Sequence, residues 1–389
     1  SLAVKRQKDG TTVVTPRMEM DRELYNLPLT MVVRTTKDIS ATQDGKSLAV
    51  INEDSLRMID FNPHGGPVTI REDKRLPAWD DTRKRRWDSR FRQVDIGAQK
   101  AYVYKSRRAG MPLIVSLHTW SGGYEQADPI ISREVLAEDW NYIHPHFQGP
   151  NNSFDAMCSP KVIQDIENAI RWAVDSLDAD PDEVHVVGVS GGGLATLALF
   201  MSGTYPVKSF SAWAPISDIA AWYWESRGRG QKYADDIRRA IPQGSHIDEQ
   251  EALRRSPLHM AYPRHIRRGT PLYIYEGIHD GYKGSVPITH ALKMYNRVVG
   301  ERKYNTDDQK KIYRKAEKDR SLLSCEEMME LVVKRINPSA DPNDNVLGRQ
   351  IFLHRECENV SVTIFEGRHE QLPGALKLIP VTPSPAKKR

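Results

Sequence analysis

The pentapeptide Gly-Val-Ser-Gly-Gly at residues 188–192 separates two apolar segments of different character. The segment before it, Val184–Val189, is short and rich in valine, which is typical of a strand buried on both faces of a parallel sheet. The segment after it, residues 194–200, is rich in leucine and alanine and favours a helix. This order predicts a sharp strand–turn–helix with a serine at the turn.

The spacing of the glycines around Ser190 has a steric reason. Only glycine-sized residues two positions before and after the serine avoid a collision in so tight a turn, and the turn makes the serine hydroxyl project from the sheet edge. The following helix directs its positive N-terminal end at the serine, which favours negative charge there. Ser190 is therefore the candidate nucleophile, and a glycine-rich turn without catalytic function is the alternative interpretation.

Strands and helices alternate over most of the chain, which predicts an α/β fold with a doubly wound, mostly parallel sheet. Besides 184–189, strands are expected at 113–117, 207–213, 272–275 and 360–365, and helices from Ser159-Pro160 onward and at 287–299. Ser159 is a suitable N-cap, and a proline at the first helical position is well tolerated.

The pattern of apolar, charged and turn-forming residues changes along the chain and divides it into parts. Residues 1–76 contain short strand-like runs with turns such as Gln43–Lys46, which predicts a small β-rich accessory module. We expect a basic linker at 77–100, the catalytic domain at 101–379 and a flexible tail at 380–389. Within the catalytic domain, the charged segment at about 301–358 is expected to be an exposed helical insertion.

Composition excludes several classes of protein. With 39% hydrophobic and 28% charged residues, the 389-residue chain is neither wholly disordered nor an integral membrane protein, since no apolar run reaches the length of a bilayer span. Three cysteines, Cys158, Cys325 and Cys357, are too few for a disulfide framework or a four-cysteine zinc site.

The chain carries a net charge of +5, and its densest basic cluster is Arg83, Lys84, Arg85 and Arg86. Such a cluster contacts a polyanion or forms a solvated linker, and the absence of a nucleic-acid motif favours the linker. We expect no nucleic-acid partner. The sequence begins at Ser1, so the lack of a visible leader excludes no compartment.

A nucleophilic serine needs a histidine base and an acid that orients the base. In the fold predicted here the acid and then the histidine follow the serine, each after a later strand. Asp280 follows the strand at 272–275, and His369 follows the strand at 360–365. Asp218, one strand earlier, is the rival acid, with the role of a helix N-cap as its structural alternative; His354 is the rival base.

The oxyanion hole is expected to use the backbone N–H of Gly191 and a second N–H from the loop after an early strand. By position the second donor is Thr119 or Trp120, and we favour Trp120. The neighbours of the predicted acid, Glu276 and His279, are interpreted as a structural strand residue and a loop residue.

Several segments resemble prolyl-oligopeptidase-like α/β-hydrolases in content and order: His118-Thr119-Trp120, His144–Asn151, the serine turn, Ala214–Asp218, Gly277–Gly281 and Gly367–Glu370. The resemblance covers Met111 to Gly374 and is strongest to the esterase-like branch found beside polysaccharide-degrading enzymes. It implies a secreted or periplasmic serine hydrolase with a Ser190–His369–Asp280 triad, acting on a small-molecule or polysaccharide ester.

Two departures favour an esterase over a peptidase within this resemblance. Peptidases of the group carry D-x-x-V-P after the acid, whereas here five residues separate Asp280 from Val286-Pro287. They also carry a large N-terminal β-propeller, which about a hundred residues cannot build. The hypotheses are a carbohydrate acyl (acetyl) esterase, a peptidase, and a non-catalytic binding protein on a hydrolase scaffold.

Aromatic residues cluster near the predicted site, at Trp120, Trp213 and 222–224. Flat aromatic faces suit sugar rings, so Trp222 is predicted to bind substrate together with the polar residues His146, Gln148 and Asn151; packing in the core is the alternative for the tryptophans. No motif for a metal, a phosphate or a dinucleotide occurs, so no cofactor is expected. The oligomeric state is not determined by the sequence.

Overall fold

The computed structural model describes residues 2–17, 28–35, 39–48, 50–53, 56–72, 87–128, 130–337, 341 and 344–381. The chain divides into two compact units, Ser1–Arg86 and Trp87–Arg389. The basic cluster at 83–86 and the predicted tail beyond 381 lie outside the described residues.

The smaller unit is a β module, as predicted. Its strands are β1 (Leu2–Arg6), β2 (Thr12–Pro16), β3 (Leu29–Arg34), β4 (Ile39–Gln43), β5 (Lys46–Leu48), β6 (Val50–Glu53), β7 (Leu56–Phe61) and β8 (Val68–Glu72). They form a five-stranded sheet, β1-β2-β8-β4-β5, and a three-stranded sheet, β3-β7-β6. Asp44 and Gly45 both have positive φ at the β4–β5 hairpin, which the Asp-Gly turn signal predicts.

The larger unit is built on a ten-stranded sheet of order β18-β19-β20-β17-β14-β13-β11-β12-β10-β9. Its strands are β9 (Arg92–Ile96), β10 (Gln99–Tyr104), β11 (Met111–Leu117), β12 (Asn141–Pro145), β13 (Ala179–Val189), β14 (Ser209–Trp213), β17 (Leu272–Gly277), β18 (Asn345–Val346), β19 (Arg349–Cys357) and β20 (Val360–Phe365), and the short pair β15 (Pro242–Gln243) and β16 (His246–Ile247) lies apart. Strands β12, β11, β13, β14, β17 and β20 are parallel, which confirms the predicted sheet.

Helices cover the sheet and its edge. The α-helices are α1 (Ile131–Glu138), α2 (Pro160–Leu177), α3 (Gly191–Ser202), α4 (Ile219–Gly228), α5 (Tyr233–Ala240), α6 (Glu249–Arg254), α7 (Arg264–Arg267), α8 (Thr289–Tyr304), α9 (Gln309–Ala316) and α10 (Cys325–Met329). Short 3-10 turns occupy Pro257–His259 and Ala375–Leu378, and Glu330–Lys334 is a π-helical turn. Helix α2 begins where predicted, and the Ser159 side chain accepts a hydrogen bond from the N–H of Val162. In the described part of the chain no helix is long and apolar enough to cross a membrane.

The central strands are apolar throughout because both of their faces are covered. Successive residues of a strand point to opposite faces, and Val186 and Val187 of β13 accordingly join different hydrophobic clusters. The Val186 cluster contains residues of α2, α3 and α8, and the Val187 cluster contains residues of α1 and the turn at Ala375–Leu378. A third cluster joins α4, α5 and α6.

Two predictions about domain parts are wrong. Residues 87–100 are not a linker, since β9 and β10 extend the sheet in antiparallel register. The apolar signal of β9 is weak because three of its five residues, Arg92, Gln93 and Asp95, are polar and exposed. The segment at 301–358 is not wholly a helical insertion either: β19 pairs with β20 as a strand near the sheet edge, and apolar residues of α9 and α10 are buried in the main core.

A buried arginine secures the helix that follows Ser190. The guanidinium of Arg267 donates hydrogen bonds to the carbonyls of Leu199, Phe200, Gly203 and Tyr205, at and just beyond the C-terminal end of α3. Burial lowers the pKa of Arg267 to about 10. Carbonyls at a helix end have no intrahelical partner, so this one cation satisfies several buried acceptors at once.

We expect Arg267→Met to lower the free energy of unfolding by about 3 kcal/mol or more, because several buried carbonyls lose their donor. Urea-induced unfolding of the full chain measures this change. The matched control is Arg268→Met, at an exposed neighbour, which should change the stability by less than about 0.5 kcal/mol. Equal stabilities for the two variants would contradict the role given to Arg267.

Candidate active site

Ser190 follows the last residue of β13 and precedes the first residue of α3. Its backbone has φ 61° and ψ −119°, a strained conformation for a residue with a side chain. Its N–H donates to the Trp213 carbonyl at 2.9 Å. A Cβ atom on Gly188 would overlap the Gly192 carbonyl, and one on Gly192 would overlap the Leu117 carbonyl. The flanking glycines are therefore required by backbone packing, which agrees with the steric argument made from the sequence.

Asp280 and His369 form a direct pair at the same edge of the sheet. Asp280 follows β17 and His369 follows β20, and the two strands are adjacent and parallel. The His369 Nδ1–H donates to Asp280 Oδ2 at 2.6 Å. This bond leaves Nε2 as the ring nitrogen that can accept a proton from a serine hydroxyl.

Electrostatics in the pair favour a charged acid and a strong base. Burial alone would lower the pKa of the His369 imidazole, but the charge of Asp280 and its hydrogen bond raise the pKa above its usual range. Burial alone would raise the pKa of Asp280, but the charge and hydrogen bond of His369 lower it. The structure thus holds Asp280 ionised beside the imidazole.

The loop 281–286 encloses the Asp280 carboxylate. Asp280 Oδ1 accepts hydrogen bonds from the N–H groups of Gly281 and Val286, at 2.8 and 3.0 Å. A Cβ atom on Gly284 would overlap that same oxygen. Arg229, just after α4, donates to the carbonyls of residues 281, 284 and 285, at 2.9–3.1 Å. The five residues between Asp280 and Val286 therefore form a closed loop, at whose end the Val286 N–H donates a hydrogen bond to the Asp280 carboxylate.

The rival residues have other partners. Asp218 is the N-cap of α4, where Oδ1 accepts from the Ala221 N–H and Oδ2 contacts His259 Nε2 at 3.0 Å. His354 lies within β19 and pairs with the Thr363 hydroxyl on β20. Neither contacts the Asp280–His369 pair through the hydrogen bonds of the described residues.

The two proposed oxyanion donors are adjacent. A Cβ atom on Gly191 would overlap the backbone nitrogen of Trp120, so these two amides lie close together beside Ser190. As the first residue of α3, Gly191 has no intrahelical acceptor for its N–H. The Trp120 carbonyl accepts from both the backbone N–H and the side chain of Asn151, at 2.8 and 3.2 Å.

These contacts change the interpretation of two residues predicted to bind substrate. Asn151 is 4% exposed, and its side chain bonds to the Trp120 carbonyl and the Met157 N–H. It positions the oxyanion loop instead of facing a ligand. Trp222 is fully buried, its Nε1–H donates to the Ser285 carbonyl, and its ring packs on Trp120. The prediction that Trp222 contacts sugar is wrong, because α4 turns this face toward the core.

The other two predicted substrate residues lie in the turn after β12. The Gln148 amide donates to the Asp165 carboxylate. The His146 ring packs against Gly123 and Gly149, and burial lowers its pKa. His146 Nδ1 is buried without a hydrogen-bond partner among the described residues, so substrate binding by His146 stays a prediction.

A second acidic group, Glu276, lies beside the Asp280–His369 pair. Ligand atoms of Glu276, Asp280 and His369 lie within 4.8 Å of one another, the one such group among the described residues whose spacing suits a metal ion. Both Asp280 oxygens already accept hydrogen bonds, one from His369 and the other from the N–H groups of Gly281 and Val286.

Sequence reasoning missed three contributors to the site: Arg229, Glu276, and Asn151 in its positioning role. Arg229 lies on a different element from the loop that it binds, and nothing in its local sequence marks the contact. Glu276 carried a weak signal, since it is the only charged residue in the otherwise apolar strand β17.

We expect Gly191→Ala to lower kcat by about a hundredfold to a thousandfold, the loss caused by removing an oxyanion-hole donor, because the new methyl group displaces the Trp120 amide. Steady-state kinetics on an aryl ester measure it. Gly269→Ala is the matched control, since a Cβ atom there meets no other group within 4 Å. Unchanged kcat in a folded Gly191 variant would show that these amides do not stabilise the transition state.

Residues 153–316 match the prolyl oligopeptidase family. No curated protein sequence matches the chain significantly. Similar solved structures include EstE1, a thermophilic carboxylesterase cloned from a metagenomic library (21% identity, TM-score 0.40, covering 54% of this chain and 76% of that chain). They also include a hyperthermophilic esterase from the archaeon Pyrobaculum calidifontis (18% identity, TM-score 0.42, covering 56% and 74%). A third is a puromycin-hydrolyzing peptidase from Mycobacterium tuberculosis (18% identity, TM-score 0.43, covering 77% and 48%).

The family match includes the serine turn at 188–192 and Asp280, and His369 lies beyond its end. Together with the doubly wound sheet and the strand–turn–helix at Ser190, it identifies the class of the larger unit. The larger unit has an α/β-hydrolase fold, and the match of residues 153–316 to the prolyl oligopeptidase family supports a hydrolase of the serine type.

Proposed function

We propose that the protein is a serine esterase that removes acyl groups, acetyl first, from a carbohydrate. The observation that carries the hydrolase chemistry is the 2.6 Å hydrogen bond between His369 and the buried Asp280, at the sheet edge that also holds Ser190. This pairing supplies an oriented base for a serine hydroxyl.

In the proposed reaction the Ser190 hydroxyl attacks the ester carbonyl while His369 Nε2 takes its proton. The N–H groups of Gly191 and Trp120 stabilise the oxyanion of the tetrahedral intermediate. The intermediate collapses to an acyl-enzyme, and His369 returns the proton to the leaving alcohol. In the deacylation step His369 takes a proton from a water molecule, which attacks the acyl-enzyme carbonyl. The proton then passes to Ser190, so the carboxylic acid product leaves and the serine hydroxyl is restored.

The carbohydrate substrate is supported by exposed aromatic side chains on the loop after Asp280 and on helix α4. Tyr282 is 63% exposed on the loop that follows Asp280, and Trp224 is 45% exposed on α4. Amphipathic rings of this kind can pack against sugar rings and still reach water. We also propose a secreted or periplasmic location, because polymeric carbohydrate substrates lie outside the cell.

A peptidase is the second candidate, and the match to the prolyl oligopeptidase family favours it. Against it stands the N-terminal unit, whose described strands form sheets of five and three strands where propeller blades have four each. The loop that separates Asp280 from Val286 also departs from the D-x-x-V-P pattern of the peptidases.

We expect kcat/KM to be higher for an acetylated oligosaccharide than for a peptide of similar length. Esters have better leaving groups than amides, so the comparison includes a matched aryl acetate and an aminoacyl anilide to correct for intrinsic reactivity. Ser190→Ala should abolish both activities and serves as the background control. Faster cleavage of the peptide than of the acetylated sugar would assign the protein to the peptidases.

The pH dependence of kcat/KM tests whether Asp280 is the acid that orients His369. The base must be neutral to accept a proton, so kcat/KM should fall as the pH drops through the raised pKa of His369, with a midpoint above about 6.5. Asp280→Asn removes the charge that raises this pKa, so the midpoint should move to lower pH and kcat should fall about a thousandfold or more. Asp218→Asn is the control and should leave the midpoint in place. A larger effect of the Asp218 change at equal stability would make Asp218 the acid.

A further inference from the structure

Glu276 is a buried carboxyl group that lies beside a second carboxylate, that of Asp280. It occupies β17 in register with Ile364 of β20, and its residue surface is 0% exposed. Neither of its carboxylate oxygens has a hydrogen-bond partner among the described residues. A charged carboxylate in such a place would bear a large desolvation cost, so the position itself requires an explanation.

The neighbour of Glu276 is the acid of the proposed triad. Glu276 and Asp280 offer oxygens within the same 4.8 Å group that includes His369. Asp280 Oδ2 accepts one hydrogen bond from His369, and a carboxylate oxygen accepts two, so Asp280 retains capacity for a further donor. Two ionised carboxylates this close in a buried site repel one another, and one of them keeps a proton.

The proton belongs on Glu276. Burial raises the pKa of Glu276 well above its usual range, and the charge of Asp280 raises it further. Asp280 is stabilised in its charged form by His369, whose imidazole also interacts with the charges of Arg229 and Glu370. A proton turns one Glu276 oxygen into a donor, which satisfies the orphaned carboxyl and the remaining capacity of Asp280 together.

We propose that Glu276 is a neutral carboxylic acid that donates a hydrogen bond to Asp280 and is a positioning residue for the catalytic acid–base pair. This inference rests on the proposed serine hydrolase activity. Glu276 keeps its proton through the reaction; its hydrogen bond fixes the plane of the Asp280 carboxylate and keeps a second negative charge away from His369.

Two variants of Glu276 show whether the residue acts as a hydrogen-bond donor, as a negative charge or only by filling space. Glu276→Gln retains an N–H donor without an ionisable group, so kcat should stay within about threefold of the parent and the acidic limb of the pH profile should not move. Glu276→Leu fills the space without a donor, and kcat should fall about tenfold to a hundredfold at unchanged KM, the factor of a hydrogen bond to a charged group. Glu366→Gln, at a partly exposed glutamate that pairs with His279, is the matched control and should behave as the parent.

Three results would overturn the proposal. A shift of the acidic limb to lower pH in Glu276→Gln would show that the parent residue is charged. Full kcat in a folded Glu276→Leu variant would show that no donor is needed. Infrared difference spectra give the third test without any turnover: at about pH 8, where an ordinary glutamate is ionised, the parent should show a protonated carboxyl band that is missing in Glu276→Gln. Absence of that band in the parent would refute the neutral acid even if the protein hydrolysed no ester.

Discussion

The charge of Asp280 lies fully buried at the edge of the sheet, and much of the surrounding structure compensates it. Transfer of a carboxylate out of water is costly unless its oxygens receive hydrogen bonds and an opposite charge lies nearby. His369 donates to one oxygen, and the N–H groups of Gly281 and Val286 donate to the other. The hydrogen bond from His369 also orients the imidazole. One contact therefore both stabilises the charge of Asp280 and holds the ring of His369 in place.

The parallel sheet makes this arrangement reachable from distant parts of the chain. Parallel strands end at a common edge, so the loops after β11, β13, β17 and β20 meet there although they are far apart in sequence. Close backbone approach at Gly188, Gly191 and Gly192 then brings the serine turn against the oxyanion loop. Helix α3, capped at its far end by Arg267, holds the turn from the other side.

The features that could be predicted from the sequence are those with a local pattern of residues. The serine turn has a steric pattern of its own, and Asp280 and His369 could be found because each follows an apolar strand in the order that the fold demands. Trp222 was misjudged because a short helix with aromatic residues on several sides does not show which side meets the core. The strand β9 was missed because an edge strand exposes charged residues and alternates only weakly.

Contacts between remote elements had no local signature at all. The bond from Asn151 to the Trp120 carbonyl and the bonds from Arg229 to the loop after Asp280 join segments whose proximity only the folded chain defines. Glu276 shows the same limit in another form. A glutamate at the end of a strand can be an exposed edge residue or a buried acid, and burial alone distinguishes them.

The closed loop between Asp280 and Val286 has an inner side that binds the Asp280 carboxylate and an outer side that is exposed. Its ends are tied to the carboxylate and its carbonyls to Arg229, while Tyr282 at its outer side is exposed and stacks with Arg335. Changes at the outer side therefore need not displace the acid. Residues 282 and 283 can therefore change during evolution, or by protein engineering, without a change in the backbone contacts that hold the Asp280 carboxylate.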